Sequence, residues 1–124
     1  MITLSSKQIK RLHGKMLDAT GGLDGIRDDS ALDSALSVAF QPFDGMELYP
    51  STAAKIARIA CGLVCNHPFA DGNKRIGTYV MILLDLNHLE ADFTNDDIIH
   101  IGLALAGGQM SDKQLLDLIL ERSK

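Results

Sequence analysis

The 124-residue chain is long enough to bury one hydrophobic core and too short for two independent ones, so a single domain over residues 1–124 is expected. With 46% hydrophobic residues, 23% charged residues and no Trp, it reads as an ordinary globular sequence and not as a disordered one. A net charge of −4 argues against a broad basic face for nucleic acid, and no apolar run has the length needed to cross a bilayer. The opening MITLSSKQIKRLHGK turns amphipathic where a signal peptide needs an unbroken apolar stretch, which makes the cytoplasm the expected location.

Leu4, Ile9, Leu12, Met16 and Leu17 recur at helical spacing and predict an amphipathic helix from about Ser5 to Asp18, closed by Gly21 and Gly22. After GGLDGIRD, Asp28 or Asp29 is placed to cap a second helix carrying Leu32, Ala35, Leu36 and Ala39, which ends near Gln41 and Pro42. The segment QPFDGMELYP joins flanking prolines to an Asp-Gly turn signal and reads either as a small hairpin flap or as a plain surface loop, the loop being the commoner outcome. Ser51 caps a central third helix to about Asn66, whose buried stripe is Ile56, Ile59, Ala60, Leu63 and Val64.

A fourth helix is expected from Asn73 to Asn87, and its middle, YVMILLDL, is rich enough to be buried on several sides. Gly77 within it costs about 1 kcal/mol relative to Ala, which points to close approach of a neighbouring helix or a ligand. Thr94 with Asp97 and Ser111 with Gln114 resemble capping boxes that start helices over about 95–106 and 112–122. The fold class is therefore all-α, a bundle of about six helices with at most a two-stranded flap. Cys61 and Cys65, four apart in an apolar helical pattern, are read as core residues, since one such pair lacks the further ligands of a zinc site. His13, His88 and His100 are read as surface or structural histidines.

One stretch concentrates chemistry: Asn66-His67-Pro68-Phe69-Ala70-Asp71-Gly72-Asn73-Lys74-Arg75, lying between two apolar helices. Gly72 permits a tight turn, and the amides after it open a helix, where unpaired N–H groups and the helix dipole favour a phosphate. Lys74 and Arg75 add two cations in a first turn that disfavours them, so an anionic ligand is expected to offset them. Asp71 is a hard oxygen donor suited to Mg²⁺ shared with substrate phosphates, and His67 is of the residue type that accepts protons near neutral pH. Taken singly, Asp71 could be a helix cap, His67 a loop histidine and Lys74 with Arg75 a solvated face; their conjunction favours a site.

HPFADGNKR resembles the Fic/Doc signature HxFx(D/E)GN(G/K)R, and its Lys74 form is similar to the Doc, or death-on-curing, branch. GGLDGIRD, ALDSAL and ELYPS also resemble Doc-branch sequence, so the likeness covers most of the chain. The resemblance implies an all-α Fic core in which His67 is general base toward a target hydroxyl, Asp71 binds Mg²⁺, and Gly72, Asn73, Lys74 and Arg75 hold the phosphates of ATP or another nucleoside triphosphate. Phe69 is implied to point into the core and fix the loop. AMP-transferring members carry Gly at the Lys74 position and a further Arg where this chain has Thr78; both departures favour the Doc branch, as against Ile76-Gly77 and Asn87-His88, which depart from common family residues without removing a catalytic group.

For that branch the resemblance implies transfer of the terminal phosphate to a protein hydroxyl, with elongation factor Tu as substrate and an antitoxin tail as partner. The segment QPFDGMELYP is similar to the family's target-docking flap, which takes an extended peptide as an added strand. The alternatives are AMP transfer through the same loop and a binding module that holds nucleotide or peptide without reacting.

Overall fold

The structure is a computed structural model that describes residues 1–123. Its elements follow the chain as α1 (Ser6–Thr20), α2 (Asp29–Ser37), a 3-10 turn (Val38–Phe40), β1 (Pro42–Phe43), β2 (Met46–Glu47), α3 (Thr52–Cys65), α4 (Asn73–Tyr79), α5 (Ile82–Leu86), α6 (Asn95–Ala106) and α7 (Asp112–Arg122). No helix among the described residues is long and apolar enough to cross a membrane.

Short polar side chains set most of the helix starts. Ser5, Asp28, Ser51, Thr94 and Ser111 each accept a bond from the amide three residues on, and in α1, α6 and α7 the third helical residue bonds back to complete a capping box. Cap residues already lie beside the amides they satisfy, which is why the sequence exposes them.

α3 is the axis of the molecule, and α2, α4, α6 and α7 all pack on it. Ile56, Ile59, Ala60 and Leu63 are wholly buried there, and Phe69, Ile76, Leu83, Ile101, Leu105, Leu115 and Ile119 close the same core around them. Gly62 and Gly77 permit the closest approaches: a Cβ on Gly62 would meet the Ala35 Cβ at 3.1 Å, and one on Gly77 would meet Val64 Cγ2 at 2.3 Å. The partner inferred for Gly77 is thus a helix and not a ligand.

The expected fourth helix is divided. The Thr78 hydroxyl bonds the carbonyls of Lys74 and Arg75 at 3.1 and 3.0 Å, and the backbone beyond it shifts to three-residue spacing, with Met81 bonding Thr78, Leu83 bonding Val80 and Leu84 bonding Met81. A hydroxyl that returns to its own helix bends it, and the 3-10 junction at 80–81 is the result. α4 and α5 therefore cover the range read as one helix. Val80, Met81, Leu83 and Leu84 are buried as expected, but Tyr79, Ile82 and Leu86 are exposed, so one flank of this apolar segment stays open.

The segment after the 3-10 turn is a hairpin and not a plain loop. Pro42 pairs with Glu47 and Phe43 with Met46, across a turn in which Asp44 and Gly45 both have positive φ, 53° and 73°. Such a turn suits the strand twist, and Asp-Gly supplies it. Lys55, buried on α3, moors the flap: its Nζ donates to the Tyr49 carbonyl and to the Glu47 carboxylate and lies 5.8 Å from the Phe40 ring centroid.

At the far end, Arg122 of α7 donates to Asp97 at 2.7 Å and to the Asp92 carbonyl, tying α7 to the start of α6. The Thr94 amide and then the Arg122 guanidinium hold the Asp97 carboxyl below its ordinary value of 3.8. A depressed folded pKa stabilises above the unfolded value and is lost as pH falls through the folded one. In urea titrations, Asp97→Asn should therefore be less stable than wild type at neutral pH, and the gap should narrow as pH drops below about 4.

Candidate active site

The loop between α3 and α4 is built by the chain on both sides of it. His67 sits in the left-handed region at φ 49°, a conformation a non-glycine residue holds at a cost of about 1–2 kcal/mol unless its surroundings support it. Arg27 supplies much of that support: its guanidinium donates to the carbonyls of His67 (2.5 Å) and Asn66 (2.9 Å), while the amides of Arg27 and Asp28 both donate to the Pro68 carbonyl. Ala70 donates to the Gly25 carbonyl, and Ile26 pairs with Phe69 as an isolated bridge. The segment GGLDGIRD is thus a brace laid along the loop.

Beneath the loop, Phe69 is buried and stacks on the buried His13, with ring centroids 3.8 Å apart and planes 12° from parallel. The His13 Nε2 lies 2.7 Å from the Asp71 carbonyl, so it carries the proton and donates. Asn73 spends both halves of its side-chain amide on Phe69, accepting from its N–H and donating to its carbonyl, each at 3.0 Å. Asn73 therefore clamps the loop with its side chain.

The bend ends at Gly72, in the left-handed region at φ 80°, and α4 follows with no side-chain cap on its first amides. A Cβ at Gly72 would come within 2.7 Å of Met16 Cε and 3.3 Å of His13 Nε2, so backbone shape and packing both require glycine here. Asp71 accepts from the Leu23 amide at 3.1 Å on one oxygen and from the Gly72 amide at 2.8 Å on the other. Those two bonds, Leu23 first, hold its carboxyl below the ordinary value, and Arg75 at 3.9 Å adds to them. Arg75 also donates to the Thr20 hydroxyl and the Gly21 carbonyl, where α1 ends. Its charge is thus offset on one side by helix-end carbonyls and carboxylate.

His67, Asp71, Gly72, Asn73, Lys74 and Arg75 line one cavity of about 250 Å³, closed by Val64 and Ala106. All six residues singled out in the sequence therefore meet at one place. The imidazole of His67 and the ammonium of Lys74 have no hydrogen-bond or ion-pair partner among the described residues and are exposed. A proton acceptor and a point charge thus face the cavity unspent. Asp71 keeps lone pairs beyond its two amide bonds, and one carboxylate beside the cations of Lys74 and Arg75 is a donor set that fits Mg²⁺ shared with an anionic ligand. No group of three or more His, Cys, Asp or Glu able to hold a metal alone occurs among the described residues, so an ion here would share its shell with substrate oxygens.

The family model for the Fic/DOC family matches residues 3–84. The chain belongs to the Fic/DOC family. The match takes in the brace, the flap, α3, the loop and most of the α4–α5 segment, and the all-α core with its short hairpin is that of a Fic fold. Members of the family are typically transferases that use nucleoside triphosphates. No curated protein matches the chain.

Two residues at the site are not singled out by the sequence reading. Arg27 stands within GGLDGIRD, whose likeness to the Doc branch is legible, but its reach to Asn66 and His67 spans about forty residues of chain and has no local signature. His13, read as surface or structural, proves structural and lies directly under the loop. Cys65 departs from the core reading: Cys61 is buried, whereas Cys65 is exposed, its Sγ 3.8 Å from that of Cys61 and 3.6 Å from the Leu105 carbonyl. Burial pushes the Cys61 thiol up to about 11, with Cys65 adding to it.

Proposed function

We propose that this chain is a Doc-branch protein kinase of a toxin–antitoxin pair, transferring the terminal phosphate of a nucleoside triphosphate to a Ser or Thr hydroxyl. The observation that carries the reading is the shared cavity of about 250 Å³, in which His67, Asp71 and the cationic cradle face one another. His67 takes the proton of the target hydroxyl, whose oxygen attacks the terminal phosphorus; the bond to the bridging oxygen breaks and the nucleoside diphosphate leaves with that electron pair. Lys74 meets the charge that spreads over the phosphoryl oxygens, and Arg75, held by Thr20 and Gly21, orients the phosphates from a fixed position. Asp71 would hold Mg²⁺, which when bound neutralises phosphate charge and aligns the chain of phosphates.

Two features support the Doc branch over AMP transfer. Lys74 is a bulky cation where an open glycine nest would leave room for an α-phosphate, and Thr78 supplies no cation one turn beyond, its hydroxyl being committed to the Lys74 and Arg75 carbonyls. By resemblance the protein substrate is elongation factor Tu, docked on the flap, whose Phe43 and Met46 are exposed, and an antitoxin tail covers the site. Incubating the protein with Mg²⁺, elongation factor Tu and ATP labelled at either the γ- or the α-phosphate tests this. Label from the γ-position alone is expected on the target. Transfer of the α-label would make the reaction AMP transfer, and no transfer of either would overturn the enzyme reading.

A further inference from the structure

α3 carries no Lys or Arg in its last turn, so the carbonyls at the negative end of its dipole draw their compensation from elsewhere in the chain. Two carbonyls at that end, those of Asn66 and His67, accept from the Arg27 guanidinium, through Nη2 at 2.9 Å and Nε at 2.5 Å. A planar fork that donates along one edge fixes both carbonyls at once, which a point charge does not. Arg27 makes no ion pair among the described residues, so its charge is spent on this helix end alone.

Two local preferences oppose the conformation that this fork holds. A φ of 49° is disfavoured for a residue with a Cβ, and Pro68, as the next residue, pushes position 67 toward extended backbone at negative φ. Among the described residues no other side chain bonds the backbone of Asn66 or His67. Other groups of the site are held redundantly: Asp71 accepts two amides, Asn73 makes two bonds to Phe69, and Arg75 is anchored where α1 ends. The proton acceptor alone stands in a turn its neighbours resist, secured by one side chain from outside the cavity. Resting on the phosphoryl-transfer reading above, we propose that Arg27 is a positioning residue for the transfer: it sets the left-handed turn that puts the His67 imidazole at the cavity and touches neither nucleotide nor target. Without the guanidinium, residue 67 relaxes toward extended backbone and carries the imidazole away from the target hydroxyl, while Asp71, Lys74 and Arg75 keep their places. The amides of Arg27 and Asp28 still hold the Pro68 carbonyl, so the brace itself survives loss of the side chain.

The test is turnover against binding on the full chain. Arg27→Ala is expected to lower kcat for γ-label transfer about 10²-fold, as misplacing a reacting group by about 1 Å does, with the KM and calorimetric Kd for Mg²⁺-ATP within about twofold of wild type. Arg27→Lys, which offers a point donor in place of the fork, should fall between the two, and it is read instead if Arg27→Ala fails to fold. Guanidinium ion at roughly tens of millimolar should restore part of the Arg27→Ala rate and none of the His67→Ala rate. Asp97→Asn, weakened at the far end of the molecule, controls for stability alone and should transfer at the wild-type rate. By NMR, the NOE between the amide and α protons of His67, intense at positive φ, should weaken in Arg27→Ala. Wild-type kcat in Arg27→Ala, a raised KM with kcat kept, an unchanged NOE, or an equal loss of rate in Asp97→Asn overturns the proposal. If wild type transfers no label, the phosphoryl-transfer reading falls by itself and the NOE decides on Arg27: its survival in Arg27→Ala refutes the assigned role, and its loss upholds it.

Discussion

His67→Ala is expected to slow γ-phosphate transfer by about 10²- to 10⁴-fold, the usual worth of a positioned general base, while the protein still melts as wild type does and still binds nucleotide. Stability should hold because the imidazole is exposed and bonds nothing among the described residues, so truncation removes no packing and orphans no partner. The backbone is the subtler matter. At φ 49° the residue is held by Arg27 through the carbonyls of Asn66 and His67, bonds that survive any change of the 67 side chain. His67→Asn is the sharper control, because Asn tolerates the left-handed region as well as His does and lacks only the basic ring. Both variants should lose transfer alike, measured as initial rates with γ-labelled ATP beside calorimetric affinities. Wild-type rates in either would remove His67 from the chemistry, and loss of binding together with rate would make it a ligand contact.

The parts of this molecule legible in the sequence are those set by neighbours along the chain. Ser5, Ser51, Thr94 and Ser111 announce their helices because a cap bonds an amide three residues away. The loop is legible for a similar reason: Gly72 is followed at once by the helix that brings Lys74 and Arg75 to the cavity, and His67 and Asp71 precede it by a few residues. The supports of that loop come from farther off. His13 and Arg27 reach it only after α1 and the brace have folded across α3, and no periodicity encodes that meeting.

Other departures arise where one side chain decides between two local outcomes. Asp44-Gly45 closes a hairpin because both residues take positive φ and Lys55 holds the returning strand, whereas the flanking prolines alone fit a loop equally well. Thr78 breaks the fourth helix at a point where its composition, YVMILLDL, favours continuity, and the break leaves Tyr79 and Ile82 facing outward. Cys65 follows the apolar spacing of α3 but stands at its last residue, where the core has already been passed.

Gly77→Ala is the stability change of largest expected effect, and two opposing terms decide its sign. Ala is the better helix former by about 1 kcal/mol, so the substitution would stabilise an isolated α4. Against that, the new Cβ would lie 2.3 Å from Val64 Cγ2, 3.0 Å from the Ala60 carbonyl oxygen and 3.4 Å from the Val64 amide nitrogen. Val64 can turn its methyl away, but the Ala60 carbonyl belongs to the backbone of α3 and cannot, so the two central helices must separate. Overpacking of this kind costs about 1–3 kcal/mol, and the backbone contact puts it toward the upper end, for a net loss of about 2 kcal/mol. For a chain of this size that lowers Tm by roughly 8 °C, read by circular dichroism. Gly14→Ala supplies the control, since its Cβ would meet nothing within 4 Å in α1 and should raise Tm instead. Adding Val64→Ala to Gly77→Ala should recover part of the loss, in proportion to how much of the clash is methyl and how much is backbone. A Tm for Gly77→Ala at or above that of wild type would mean that α3 and α4 are not in contact at this crossing.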